Sequence, residues 1–133
     1  LEMLERHGAH NPLDELYPVT HGERITELID VVGSVYVADV VKDYLVNIVA
    51  ATRSHDAVRL GASPRASLHL IRTARAKAAL AGRDYVIPDD VQAMAIPVLA
   101  HRLLPSTRAQ LDGISPVDIV SQILTSTPVP EQA

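Results

Sequence analysis

The chain has almost no aromatic residues from which to build a hydrophobic core. Its 133 residues include no Phe and no Trp, and the aromatic side chains are Tyr17, Tyr36, Tyr44 and Tyr85. Because 47% of the residues are nevertheless hydrophobic, the chain is too apolar to be disordered, and Leu, Val, Ile and Ala must fill its interior. Such a core favours packed helices, and this length corresponds to one domain of ordinary size.

Hydrophobic periodicity and helix-start signals predict a mainly all-α fold, a small helical bundle. Thr20 and Glu23 form a capping-box pattern before a helix that Gly33 would end. A broad apolar stripe predicts a further helix from Ala38 to about Ser54. The other signals predict a helix end over 1–7, the longest helix from 63–65 to Gly82, a helix from Pro88 to Ala95 interrupted by Pro97, a loop over 105–113, and a last helix from 115–116 to Leu124.

Two short segments, 35–37 and 83–87, have the composition of strands. Both combine β-branched residues with a tyrosine, which is typical of a pleated, half-buried surface. We expect them to pair as a minimal two-stranded sheet beside the helices.

The glycines and lysines exclude both common phosphate-binding loops. The two lysines, Lys42 and Lys77, are followed by Asp43 and Ala78 rather than by Ser or Thr. Neither a G-x-x-x-x-G-K-[ST] loop nor a G-x-G-x-x-G turn can therefore be drawn, and the chain by itself should not hold a nucleotide tightly.

Other absences limit the location and the chemistry of the chain. It has no Cys, which excludes disulfides, thiolate zinc sites and cysteine nucleophiles and fits a reducing compartment. No signal peptide is visible, and the longest charge-free stretches have about half of the roughly 20 residues that a membrane span requires. We expect a cytoplasmic location and no membrane span.

Charge is distributed unevenly along a chain whose net charge is −4. Residues 57–83 contain six of the 12 basic residues and no acidic one. A basic segment on an acidic protein indicates a particular anionic partner rather than general affinity for nucleic acid. For Arg72, Arg75 and Lys77, which point in different directions around a helix, a solvated helix face is the simpler interpretation.

The start of the longest predicted helix is the strongest candidate binding site. Ser63 suits the N-cap, Pro64 suits the first helical position, and Arg65 follows in the first turn. Free amides, the positive end of the helix dipole and a guanidinium would meet there, and a phosphate oxygen is their natural ligand. A purely structural Arg65 is an equally good interpretation. Asp89 and Asp90 also begin a helix, where the dipole explains them better than acid–base chemistry does.

Catalytic and metal-binding arrangements have little support. His7 and His10 flank a glycine and have no third ligand nearby, so we expect no metal site. Ser63, His69 and Asp84 could be drawn as a triad, but no nucleophile elbow or oxyanion loop accompanies them.

Four stretches between residues 61 and 103 have a specific pattern: G-A-S-P-R-A-S-L at 61–68, A-R-A-K-A at 74–78, G-R-D-Y-V-I-P-D-D-V at 82–91 and P-V-L-A-H-R-L at 97–103. Together they closely resemble the C-terminal lid region of MoxR-family AAA+ ATPases. The resemblance extends over nearly the whole chain, with looser agreement at 10–13 and 117–120 and departures at His69 and Ile96.

The resemblance implies a helical lid that closes over ATP and Mg²⁺ held by a separate α/β core. Arg65 would be the sensor-2 arginine that reaches the γ-phosphate, with Ser63 and Pro64 beside it. Residues 1–19 would connect to the core, 20–127 would form the lid and 128–133 a tail. The lid alone would hydrolyse nothing, whereas the whole protein would be a chaperone-like ATPase ring.

The same resemblance implies partners: the AAA+ core, neighbouring subunits of an expected homohexamer, and a protein with a von Willebrand factor A domain. The alternative is an independent helical module that binds a partner protein through an apolar helix face, such as that of the last helix. A helix-turn-helix DNA reader is disfavoured by the acidic net charge.

Overall fold

The computed structural model describes residues 16–130, which contain six α-helices and two short strands. The helix end predicted over 1–7 and the end of the predicted tail lie outside this range, and the predicted domain boundaries stay predictions. The elements are α1 (Gly22–Ser34), α2 (Asp39–Ser54), β1 (Val58–Leu60), α3 (Arg65–Leu80), α4 (Pro88–Leu99), a 3₁₀ turn (Ala100–Arg102), β2 (Leu104–Pro105), α5 (Thr107–Leu111) and α6 (Pro116–Ser126).

The chain divides into two compact units after Asp30. The first unit contains most of α1, a helix without buried residues. Its first helical bond runs from Ile25 N to His21 O, so His21 occupies the capping position that the sequence predicted for Thr20. The predicted capping box between Thr20 and Glu23 therefore does not form, and an exposed Arg24–Glu27 ion pair of 2.7 Å supports the first turns instead.

The second unit has the aliphatic core that the composition predicts. α3 buries a residue at every fourth position along one face, and three of these residues are alanines. Small side chains bring α3 close to α2 and α4, against which it packs. Tyr44 is the one tyrosine buried among the described residues, and its hydroxyl accepts a hydrogen bond of 2.9 Å from Gln92. The α3 residues are Ala66, Leu70, Ala74 and Ala78.

The all-α class is confirmed, but the two named strands lie outside the segments that the sequence predicted as strands. β1 pairs with β2 in an antiparallel ladder. The predicted strand segments 35–37 and 83–87 do meet, in a single parallel bridge between Tyr36 and Tyr85. Tyr36 N donates to Asp84 O at 2.8 Å, and Val86 N donates to Tyr36 O at 2.9 Å.

Two other segments differ from the sequence-based expectation. α4 continues through Pro97 to Leu99 because Val98 and Leu99 gain burial in the core that outweighs one missing amide donor. The predicted loop over 105–113 contains the short helix α5, whose start is capped by Ser106 accepting from Ala109 N at 3.3 Å.

Candidate functional site

Arg65 is the first residue of α3, and its side chain is exposed. Pro64 already has helical dihedral angles, φ −54° and ψ −27°. Ser63 O accepts a hydrogen bond from Ala66 N at 2.8 Å, so the helical hydrogen-bond pattern begins at Ser63. The predicted capping role of the Ser63 hydroxyl is wrong, however, because within residues 16–130 this hydroxyl forms no hydrogen bond.

The segment before Arg65 is fastened to the C-terminal end of α2. The Thr52 hydroxyl accepts a hydrogen bond from Ala62 N at 3.0 Å and donates one to Val49 O at 2.6 Å. Arg53 Nη1 donates to Ala62 O at 3.1 Å. Consecutive residues of α2 therefore hold both backbone polar groups of Ala62, three positions before Arg65.

Gly61 permits these hydrogen bonds because its backbone passes very close to the backbone of α2. A Cβ at position 61 would lie 2.6 Å from Thr52 O and 2.7 Å from Arg53 Cα. Both neighbours are backbone atoms of a helix and cannot move aside cheaply. The glycine of the G-A-S-P-R-A motif is thus explained by close approach rather than by an unusual dihedral angle.

A second set of hydrogen bonds joins the end of α3 to the start of α4. Gly82 has φ +73°, and the bonds from Gly82 N to Ala79 O (2.9 Å) and Arg83 N to Ala78 O (3.0 Å) form a Schellman motif. Arg83 then donates two hydrogen bonds, of 2.8 and 2.7 Å, to the carboxylate of Asp90. The G-R-D-Y-V motif accordingly closes the turn between two helices.

Asp90 is 2% exposed and is held in its charged form. Burial by itself would raise the pKa of its carboxyl, but hydrogen bonds from Arg83 and from Ile87 N (3.1 Å), with the nearby positive charge, lower this pKa overall. The preference for a structural rather than catalytic role at Asp89-Asp90 therefore has a specific basis at Asp90, which both caps α4 and pairs with Arg83.

The remaining candidates are not assembled into a site. His69 and Asp84 are exposed, and neither is hydrogen-bonded through its side chain to Ser63 in the described part of the chain. Residues 16–130 contain no group of three His, Cys, Asp or Glu residues that could hold a metal ion.

Arg72 and Lys77 are exposed, as expected for a solvated face, whereas Arg75 is half-buried. None of the helices in the range 16–130 is both long and apolar enough to cross a bilayer.

Thr52 and Arg53 were not singled out by the sequence as functional. Thr52 falls on the apolar stripe of α2, among hydrophobic neighbours. The available signal was its polarity, because a hydroxyl on a buried helix face must find a hydrogen-bond partner.

The model of the AAA lid domain family matches residues 50–123 of this chain. The chain is 40% identical over 132 residues to the uncharacterized protein YeaC of Bacillus subtilis, covering 99% of this chain and 41% of that protein. It is 37% identical over 116 residues to the chaperone MoxR1 of Mycobacterium tuberculosis, covering 80% and 31% respectively. The protein MoxR of Paracoccus denitrificans is 40% identical over 85 residues, 60% of this chain and 25% of that protein.

A solved structure gives the same result at the level of the fold. The crystal structure of a "putative ATPase" from Cytophaga hutchinsonii superposes with a TM-score of 0.84 at 27% identity, over 98% of this chain and 42% of that one. The chain thus spans about two fifths or less of the length of these proteins.

Proposed function

Because the chain belongs to the AAA lid domain family and is the lid of a MoxR-family AAA+ protein, we propose that it closes over ATP held by the ATPase core. In this proposal Arg65 senses the γ-phosphate, with Ser63 and Pro64 forming the adjoining start of α3. ATP and Mg²⁺ are bound by the core, and the lid contributes the guanidinium.

The exposed guanidinium at a fixed helix start is the observation that carries this proposal. Arg65 forms no ion pair within residues 16–130, and residues 57–83 contain no acidic residue that could neutralise it. A phosphate oxygen placed there would combine a charge-assisted hydrogen bond with the positive end of the α3 dipole.

Loss of the γ-phosphate would then become movement of the lid. While ATP is intact, Arg65 holds the lid against the core; after hydrolysis its anionic partner is gone and the lid is free to rotate. We propose that a chaperone-like, homohexameric ring in the cytoplasm uses this movement, alone or with a von Willebrand factor A domain protein. The name of the Mycobacterium relative, a chaperone, supports this wider role.

Replacing Arg65 tests the proposal directly. In the full-length protein, Arg65→Ala should reduce ATP hydrolysis by at least about tenfold, because a donor aimed at developing phosphate charge is lost. Arg72→Ala removes an exposed arginine from the same helix and should leave the rate unchanged. Steady-state hydrolysis at saturating ATP measures both, and a wild-type rate in Arg65→Ala would contradict the sensor role.

The last helix offers no surface to the alternative, an independent interaction module. The apolar face of α6 buries Ile119, Val120 and Ile123 in the core of this unit, so that face is not available for a partner.

A further inference from the structure

We propose that Thr52 is a positioning residue for Arg65. Its buried hydroxyl would hold the start of α3 where the guanidinium reaches the γ-phosphate. The inference rests on the proposed sensor function and adds to it a residue on a different helix, which touches neither nucleotide nor Arg65.

The hydroxyl of Thr52 performs a task that packing does not require. Thr52 is 0% exposed. A valine would fill nearly the same volume on this stripe of α2. The hydroxyl instead bridges Val49 O and Ala62 N, with both partners shielded from water.

Little freedom remains between the bridge and Arg65. Thr52 and Arg53 bond the peptide groups on the two sides of the Ala62 Cα, and Arg65 lies three virtual bonds of about 3.8 Å further on. Within that distance Pro64 has a φ fixed by its ring, and Ser63 O already belongs to the helical hydrogen-bond pattern. A shift at Ala62 is therefore passed to the start of α3 instead of being absorbed by a flexible loop.

The ratio of the affinities for ATP and ADP distinguishes a positioning role of Thr52 from a general effect on the stability of the fold. A sensor of the γ-phosphate favours ATP over ADP, so misplacing it lowers the ratio of the two affinities. Loss of fold stability elsewhere in the lid lowers the melting temperature without changing that ratio.

The experiment compares variants of the full-length protein by their Kd for a non-hydrolysable ATP analogue and for ADP, and by their melting temperature. Thr52→Val, which cannot accept the Ala62 amide, should lower the ATP preference about threefold to tenfold, the range expected for one hydrogen bond. Thr52→Ser should restore it. Val49→Ala is the matched control, since it opens a cavity one turn away in α2 and leaves the hydroxyl in place.

A double variant tests whether Thr52 changes the ATP preference through Arg65. If Thr52 acts through Arg65, Thr52→Val combined with Arg65→Ala should discriminate no worse than Arg65→Ala alone. Should Thr52→Val fail to fold, Arg53→Ala removes the other, exposed anchor of Ala62 and should lower the ratio in the same direction; an unchanged ratio there would overturn the proposal.

The two proposals fail in different ways. If Arg65→Ala keeps the wild-type ATP preference, the sensor function is wrong, and the positioning role falls with it. If Arg65→Ala loses the preference while Thr52→Val behaves like Val49→Ala, the positioning role alone is wrong.

Discussion

The starts of α3 and α6 share a Ser-Pro signal but are completed in opposite ways. At α6 the Ser115 hydroxyl accepts from Asp118 N at 3.2 Å, and the Asp118 carboxylate accepts from Ser115 N at 2.9 Å. At α3 the residue three positions after Ser63 is Ala66, and the Ser63 hydroxyl caps nothing in the described range. The start of α6 is completed by its own acidic residue, whereas the start of α3 is held by hydrogen bonds from α2 and leaves the Arg65 guanidinium without an ion-pair partner in the described range.

The largest loss of stability should come from removing an acidic residue that caps the start of a helix. Asp90 completes α4, and Asp90→Ala would leave the partly buried Arg83 without its partner. We expect a loss of about 3 kcal/mol in the free energy of unfolding, since the change removes the cap of α4 together with two charge-assisted hydrogen bonds from Arg83. Urea denaturation measures this change. Asp89→Ala, at an exposed neighbour, is the control, and equal effects of the two changes would refute the role of the pair.

Gly61→Ala should disturb the support behind α3. The new Cβ would collide with the backbone of α2, at a cost of about 1–3 kcal/mol in unfolding free energy. Gly33→Ala has nothing within 4 Å of its new Cβ and should be neutral or stabilising. Thermal unfolding followed by circular dichroism distinguishes them, and a fully stable Gly61→Ala protein would show that the close approach is unimportant.

Matched serine replacements test the comparison itself. Ser115→Ala removes a working cap and should cost about 1 kcal/mol of unfolding free energy. Ser63→Ala removes a hydroxyl that caps nothing and should cost close to zero. Urea denaturation of both variants is the measurement. If both changes destabilised the protein equally, the two starts would be alike and the contrast would be lost.

Acid should weaken the hydrogen bonds at the start of α6 and leave those at the start of α3 unchanged. Hydrogen bonds from the Ser115 side chain and backbone lower the pKa of Asp118. The stabilisation is therefore complete above the ordinary aspartate pKa of about 3.9 and is lost as the pH falls through the lower folded value. Amide hydrogen exchange at Asp118 should accelerate in acid relative to that at Ala66, and parallel pH profiles would argue against the difference.

The sequence predicts features that depend on neighbouring residues and misses those that depend on distant ones. Gly82 after α3 and Ser115-Pro116 before α6 are local signals, and the structure confirms both. β1 and β2 have three and two residues, too few for any periodicity, and form only because the chain brings 58–60 beside 104–105.

The candidate site shows the same division. Ser63-Pro64-Arg65 could be found by its helix-start pattern and by resemblance to MoxR-family lids. The bond between Thr52 and Ala62 joins residues that lie in different elements, and a threonine on an apolar stripe gives no sign of the partner it will meet.

The row of small residues along α3 has a mechanical consequence. A helix of 16 residues is about 24 Å long, and alanine contacts leave it little room to slide against α2 and α4. α3 is therefore a stiff rod with Arg65 at one end and the Gly82–Arg83 turn at the other. A displacement at Arg65 would therefore be passed along α3 to the Gly82–Arg83 turn, and in the proposed sensor role this is how contact with one phosphate oxygen would move the lid.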